Sequence, residues 1–237
     1  MLVIVIPDVH LKYWLFRQAD NLLKHGAADT AVCLMDIPDD WDMEFQLERY
    51  LETYQEAITF AREHTDTRWC WGNHDMSYMW HEIETGYSSY VSDHVQRQIN
   101  ALMKALPADN PIKYVQKIDS VLFSHAGVQK NFAEKYAAGY SLNNVDGVVE
   151  RINSLGQEEM WYEDSPIWVR PQIDRAKMYR PRKLLQVVGH APMKKITKKG
   201  NLISCDVFST RRDGGPIGTE EFLLLDTETW DFTGVKG

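Results

Sequence analysis

Apolar and polar positions in the first half of the chain alternate between short apolar runs, small polar clusters and helical stripes. The runs fall at 2–6, 31–35 and 67–71, and each is followed by polar residues before a helical spacing begins. Trp14, Leu15, Ala19, Leu22 and Leu23 keep that spacing up to Gly26, a suitable C-cap, and Phe45, Leu47, Leu51, Tyr54, Ile58 and Ala61 carry a second helix through 44–64. A third helix is predicted over 90–106, ended by Pro107. Strand then helix, repeated, predicts βαβ units around a parallel sheet.

The second half reads differently. Segments 112–118 and 121–124 flank Asp119-Ser120 like a hairpin, and 185–189, 194–198, 201–207 and 221–226 read as further strands, two of them joined by the turn Lys199-Gly200-Asn201. Weaker helical patterns lie at 145–155 and 172–180. No Pro-, Gly- or Ser-rich linker and no fixed-period repeat interrupts the chain, so 1–237 is expected to form a single α/β domain of two packed sheets with helices outside.

Composition adds limits. With 44% hydrophobic and 25% charged residues in 237, the chain is ordinary for a folded globular protein and unlike a disordered one. The apolar opening run stops at Pro7-Asp8, too short for a signal peptide or a membrane span. Cys33, Cys70 and Cys205 are isolated and without CxxC spacing, which speaks against a disulfide framework and suits a cytoplasmic setting. Net charge is −8, yet the stretch 170–212 carries 12 Lys/Arg against two acids, an asymmetry that would steer an anionic substrate or simply form a solvated basic surface.

Chemistry-bearing residues sit where the apolar runs end. Asp8 and His10 follow the first run, Asp36 and Asp39 the second, and Gly72-Asn73-His74-Asp75 the third. His125 and His190 follow the later runs 121–124 and 186–189. Ligands of open α/β sheets bind beyond the carboxyl ends of the parallel strands, so these positions are expected to converge. Together they form a mixed oxygen and nitrogen donor set suited to borderline divalent metals. His25, His64, His81 and His94 match no such position and read as ordinary surface histidines.

In that order, D-x-H, D-x-x-D, GNHD, a lone His and GH-x-P resemble the calcineurin-like metallophosphoesterases, in particular their phosphoprotein-phosphatase branch. The resemblance spans nearly the whole chain and implies the four-layer αββα sandwich of that family. It further implies two divalent ions, manganese first and iron, zinc or nickel as alternatives. Asp8, His10 and Asp36 would hold one ion and Asp36, Asn73, His125 and His190 the other, Asp36 being the bridge. A metal-bridging hydroxide would attack the phosphate ester, and His74, oriented by Asp39, would protonate the leaving group.

Some expected phosphate-gripping residues are missing. The branch commonly has Arg and Gly after the second Asp and Arg before GNH, where this chain has Asp40-Trp41 and Trp71, and Met35 stands where Gly usually precedes Asp36. If Asp40 and Asp42 pointed inward they would repel a phosphate dianion. Arg170, in a Trp-x-Arg segment resembling that of small bacterial and phage phosphatases, is the candidate replacement, with Arg175, Arg180 and Arg182 behind it. Trp69, Trp71, Trp80, Trp161 and Trp168 read as core or pocket wall more readily than as a base-stacking platform, and Asp206 as a turn support or a neighbour of the site.

The leading expectation is hydrolysis of phosphate monoesters, on a phosphoprotein or a small molecule. A dinucleoside polyphosphate hydrolase is the alternative, because GNHD and His-Ala-Gly also resemble the symmetrical diadenosine tetraphosphate hydrolases. A fold retained as a non-catalytic scaffold is the third reading, and the presence of His74 argues against it. The phosphorylated substrate is the expected partner; neither a membrane nor nucleic acid is, and the oligomeric state stays open.

Overall fold

β1 (Leu2–Ile6) is buried from Val3 onward because its side chains serve two cores in alternation. Val3 and Val5 join a cluster with Val32, Phe123, Val187, Ile203 and Leu225, drawn from two different sheets. Ile4 and Ile6 face the opposite way, toward Leu15, Phe16, Tyr54 and Ala57 on helices. A strand covered on both faces needs this unbroken apolar run, whereas a half-exposed one alternates with polar residues.

The structure, a computed structural model, describes residues 1–174, 176–179 and 184–237. After β1 come α1 (Trp14–Lys24), β2 (Thr30–Cys33), α2 (Leu47–Glu63), β3 (Arg68–Trp69), α3 (Asn73–Trp80) and α4 (Ser92–Ala105). There follow β4 (Val115–Ile118), β5 (Val121–Ser124), α5 (Lys130–Tyr136), α6 (Val145–Asn153), α7 (Gln157–Met160) and α8 (Pro171–Asp174). The last strands are β6 (Leu185–Val188), β7 (Thr197–Lys199), β8 (Leu202–Ser204), β9 (Phe222–Asp226) and β10 (Phe232–Val235).

These strands make two mixed five-stranded sheets, ordered β10-β9-β1-β2-β3 and β4-β5-β6-β8-β7. β1, β2 and β3 are parallel, as are β5, β6 and β8, while β9 runs antiparallel beside β1 and β10 antiparallel beside β9. The chain is thus an α/β protein, as expected, with one sheet facing the other across the Val3 cluster. All three cysteines are buried and free. No helix among the described residues is long and apolar enough to cross a membrane.

The pattern misleads in several places, among them α7, which falls outside every predicted helix, and the run 194–198, which is strand only from Thr197. The run 112–118 divides: Lys113 bonds Trp69 and Trp71 at the end of β3, and only Val115–Ile118 continues as β4. Among the described residues, the helix expected over 172–180 is helical only at Pro171–Asp174, because Met178 instead bridges Gln129 and the Lys130 amide takes the Lys177 carbonyl. α3 and α5 were not marked by the spacing, being short and, for α3, polar at its start. β10 was missed because Phe232-Thr233-Gly234-Val235 is an edge strand with neither alternation nor full burial.

Candidate metal centre

The six expected donors converge. Asp8 and Asp36 follow β1 and β2, Asn73 opens α3 just after β3, and His125 and His190 follow β5 and β6, so both sheets contribute strand ends to one cleft. Ligand atoms of Asp8, His10 and Asp36 lie within 4.8 Å of one another, as do those of Asp36, His125 and His190. Asp36 belongs to both groups. The Oδ1 of Asn73 lies 3.1 Å from His125 Nε2, which places the amide oxygen with the second group.

Backbone and loop contacts aim each ring. His10 Nδ1 sits 3.0 Å from the Asp39 carbonyl, His125 Nδ1 3.0 Å from the Leu34 carbonyl, and His190 Nε2 2.9 Å from the Trp168 carbonyl. A ring N–H committed to a carbonyl leaves the other nitrogen unprotonated toward the cleft, the arrangement a metal-binding imidazole requires. His10, Met35, Asp36 and His190 all have positive φ, at 41°, 57°, 45° and 62°. Left-handed backbone is costly for residues with a Cβ, and Met35 shows why glycine would be the easier residue there.

Two glycines let the carboxylates approach. A Cβ on Gly72 would lie 1.9 Å from Asp36 Oδ1, and one on Gly189 1.9 Å from Asp8 Oδ1. Asp8 then accepts the His190 amide at 3.1 and 2.8 Å. Asp75 receives the amides of Asp36, Ile37 and Gly72 and so ties the β2 and β3 loops together.

Electrostatics indicates what the cleft suits. Burial, then Asp206, raises the Asp8 carboxyl well above its ordinary range. Burial and Asp36 push Asp75 up to about 8, and burial pushes Asp206 up to about 6. Burial opposes a charge on His125, yet Asp36 and Asp8 lift it to about 9, with Asp36 Oδ2 3.1 Å from Nε2. Protons are thus retained where buried carboxylates crowd together, as expected of a set short of positive charge. His190 is driven well below its usual value, first by burial and then by His125 and Arg170, and is neutral. Carboxylates plus imidazole nitrogens, each with an oriented ring and with His10 and His190 neutral, fit divalent first-row ions.

His74 and Asp39 meet as expected, with Nδ1 2.9 Å from Asp39 Oδ2. Burial works against the charged ring, but Asp36, the Asp39 hydrogen bond and Glu84 raise it to about 10. The hydroxyls of Tyr50 and Tyr78 donate to the other Asp39 oxygen at 2.9 and 2.6 Å and fix the carboxylate.

The anomalous acids are neutralised. Asp40 pairs with Lys12, a nearly fully buried cation, at 3.0 Å and also accepts the Thr210 hydroxyl. Asp42 pairs with Arg212, and the Trp41 indole donates to the Thr210 carbonyl. These residues strap the loop after β2 to the loop after β8. Trp71 is packed in the core.

Arg170 lines a recess of about 430 Å³ together with Trp161, Glu163 and Trp168. The Trp168 ring meets His190 edge-on at 5.9 Å, so the recess adjoins the cleft. Arg175, Arg180 and Arg182 lie outside the described residues. Asp206, Lys12, Asp75 and Glu84 surround the donors; Asp206 and, within the GNHD motif, Asp75 are marked by the sequence, whereas Lys12 and Glu84 are not. His64 is no simple surface residue: it pairs with Asp20 at 2.8 Å, and Lys24 bonds both Asp20 and Glu63, so that second acidic group already has its cation.

The profile described as calcineurin-like phosphoesterase (Metallophos) matches residues 1–220. No curated protein sequence matches the chain significantly. Among solved structures, one described as a cold-active protein tyrosine phosphatase superimposes with a TM-score of 0.57 at 16% identity, over 98% of this chain and 78% of its own. A metallophosphoesterase from Sphaerobacter thermophilus aligns at a TM-score of 0.45 and 14% identity, over 100% of this chain and 88% of its own. A structure described as a novel archaeal phosphodiesterase aligns at 0.41 and 11%, over 99% of each. At such identities the first superposition speaks to the fold alone.

Proposed function

Because the chain belongs to the calcineurin-like phosphoesterase family, hydrolases that act on phosphate ester bonds, we propose that it hydrolyses phosphate monoesters with two divalent cations sharing Asp36. The observation that carries this reading is the membership of Asp36, itself buried, in two donor clusters at once. Asp8 and His10 complete one position, and Asn73, His125 and His190 the other. Manganese suits the mixed donor set, as do iron, zinc and nickel. When bound, the cations supply positive charge to the phosphate oxygens and acidify a water.

The chain's own groups do the rest. His74, charged at neutral pH, carries the proton for the leaving oxygen, and Asp39, gripped by two tyrosines, fixes its ring. Lys12 keeps Asp40 from repelling the substrate. Arg170 holds phosphate oxygens at the mouth of the recess, a task for which its planar fork is suited. On this assignment Arg170→Ala raises KM for p-nitrophenyl phosphate about tenfold while kcat changes less, the pattern of lost ground-state binding. A KM equal to the wild-type value removes Arg170 from the site.

The recess lined by Trp161 and Trp168 favours a second reading, a dinucleoside polyphosphate substrate whose base lies against indole. Turnover of a phosphoserine peptide, p-nitrophenyl phosphate and diadenosine tetraphosphate by the manganese-loaded protein separates the two. Monoester turnover without the dinucleotide supports the first. A kcat/KM for diadenosine tetraphosphate far above both monoesters replaces it with the second, and no turnover of any ester overturns both.

A further inference from the structure

The segment between α3 and α4 wraps the cleft at several points that the chemistry above leaves unexplained. Both Glu84 carboxylate oxygens lie 3.0 Å from Asn73 Nδ2, and Oε1 is 3.7 Å from His74 Nδ1. Gly86, at φ 95°, passes so close that a Cβ there would sit 3.2 Å from Asp39 Cβ and 3.3 Å from His74 Cε1. The Ser88 amide donates to the Tyr78 hydroxyl at 2.9 Å, its own hydroxyl donates to the Glu44 carbonyl, and Tyr87 stacks on Tyr78. Before Glu84, the Glu82 amide donates to the Ser77 carbonyl and Glu82 Oε1 accepts from Gln157, so the segment is anchored on both sides of Glu84, whose side chain is only 11% exposed.

An asparagine presents two unlike ends. Its carbonyl oxygen can ligate a cation and its NH2 cannot, yet the two are nearly the same size, so packing alone does not choose between them. A buried carboxylate chooses: it accepts from the NH2 and repels the oxygen. With Asn73 only 1% exposed and its Oδ1 facing His125 Nε2 at 3.1 Å, the Glu84 contact sets which end of the amide enters the cleft.

We propose that Glu84 is a positioning residue that locks the Asn73 amide with its oxygen toward the cation site, and that residues 84–88 are the clamp that holds it there. This rests on the reading of Asn73 as a cation ligand. Partners that orient ligands are worth roughly 10- to 100-fold in metal affinity.

The test is a variant cycle read as the Mn2+ dissociation constant by isothermal titration calorimetry on the full chain, with Mn2+ as the only ligand. Glu84→Gln keeps size and folding but offers an amide that tolerates either Asn73 orientation, and it should weaken Mn2+ binding about tenfold. An aspartate at 73 has two equivalent oxygens and needs no orienting. In the Asn73→Asp background, Glu84→Gln should therefore cost nothing or improve binding. An equal loss in both backgrounds, or no loss beside Asn73, overturns the proposal. Asn73→Ala separates this from the reading beneath it: if that variant binds Mn2+ like wild type, Asn73 is no ligand and both fail. If it binds weakly while Glu84→Gln is unaffected, only the positioning role is lost. The rise in Tm on adding Mn2+ gives the same ranking independently of any turnover.

Discussion

Asp36→Asn is expected to lower turnover of p-nitrophenyl phosphate about a thousandfold, the scale on which a preorganised charge partner at a reacting centre matters. The amide nearly matches the carboxylate in shape, so the fold should hold: Asp75 still receives the amides of residues 36 and 37. What disappears is charge. Asp36 sits in both donor clusters, with Oδ1 accepting the His74 amide at 3.0 Å and Oδ2 facing His125 at 3.1 Å. Two cations about 3.5–4 Å apart repel strongly, and without a shared anion the pair is hard to hold. Elemental analysis should accordingly find fewer than two ions per chain in the variant. Turnover close to wild type, with both ions retained, would falsify the bridging role.

Gly189→Ala should be as damaging, by shape instead of charge. The new methyl would stand 1.9 Å from Asp8 Oδ1 and 3.0 Å from Cγ, far inside contact distance. Asp8 has little freedom to move, because its oxygens accept the adjacent His190 amide and it is only 1% exposed. Either the carboxylate or His190 must shift, and each serves a different half of the donor set. The expected result is a loss of Mn2+ affinity of about 100-fold, the upper end for disturbed ligand geometry, with turnover falling in step. Gly139→Ala is the control, since nothing lies within 4 Å of a Cβ there. Mn2+ titrations of Gly189→Ala that overlay those of wild type would show that the close approach carries no function.

The donors were legible in the sequence because each occupies a short apolar run's end, and a strand end is a local event. The first five-residue strand and the hairpin at Asp119-Ser120 came through for the same reason. Groups that hold the donors in place were not legible, since they reach the cleft through loops. The Leu34 and Trp168 carbonyls have no side-chain signature, Glu84 lies in a segment without periodicity, and Lys12 reads as a solvated lysine until Asp40 is placed 3.0 Å away. Asp40, Trp41 and Asp42 looked like obstacles to phosphate because a sequence shows a residue's charge but not its partner. Here the partners are Lys12, Thr210 and Arg212, the last two 169 and 170 residues away. The overlong helix at 172–180 failed where backbone pairing with 129 and 130 outweighed a modest helical pattern.

That separation along the chain bears on how the cleft comes into being. The amide of His190 meets Asp8 across 182 residues, and Trp41 meets Thr210 across 169. β1 pairs with β2 on one side and on the other with β9, which begins at Phe222. Closing such long loops adds little to the equilibrium cost, about 0.6 kcal/mol for each doubling of length. Its weight falls on time, because contacts between distant segments form after local ones. Asp8, His10 and Asp36 all fall within the first 36 residues, whereas His125 and His190 follow Asp36 by 89 and 154 residues, so the second group waits on far longer connections than the first.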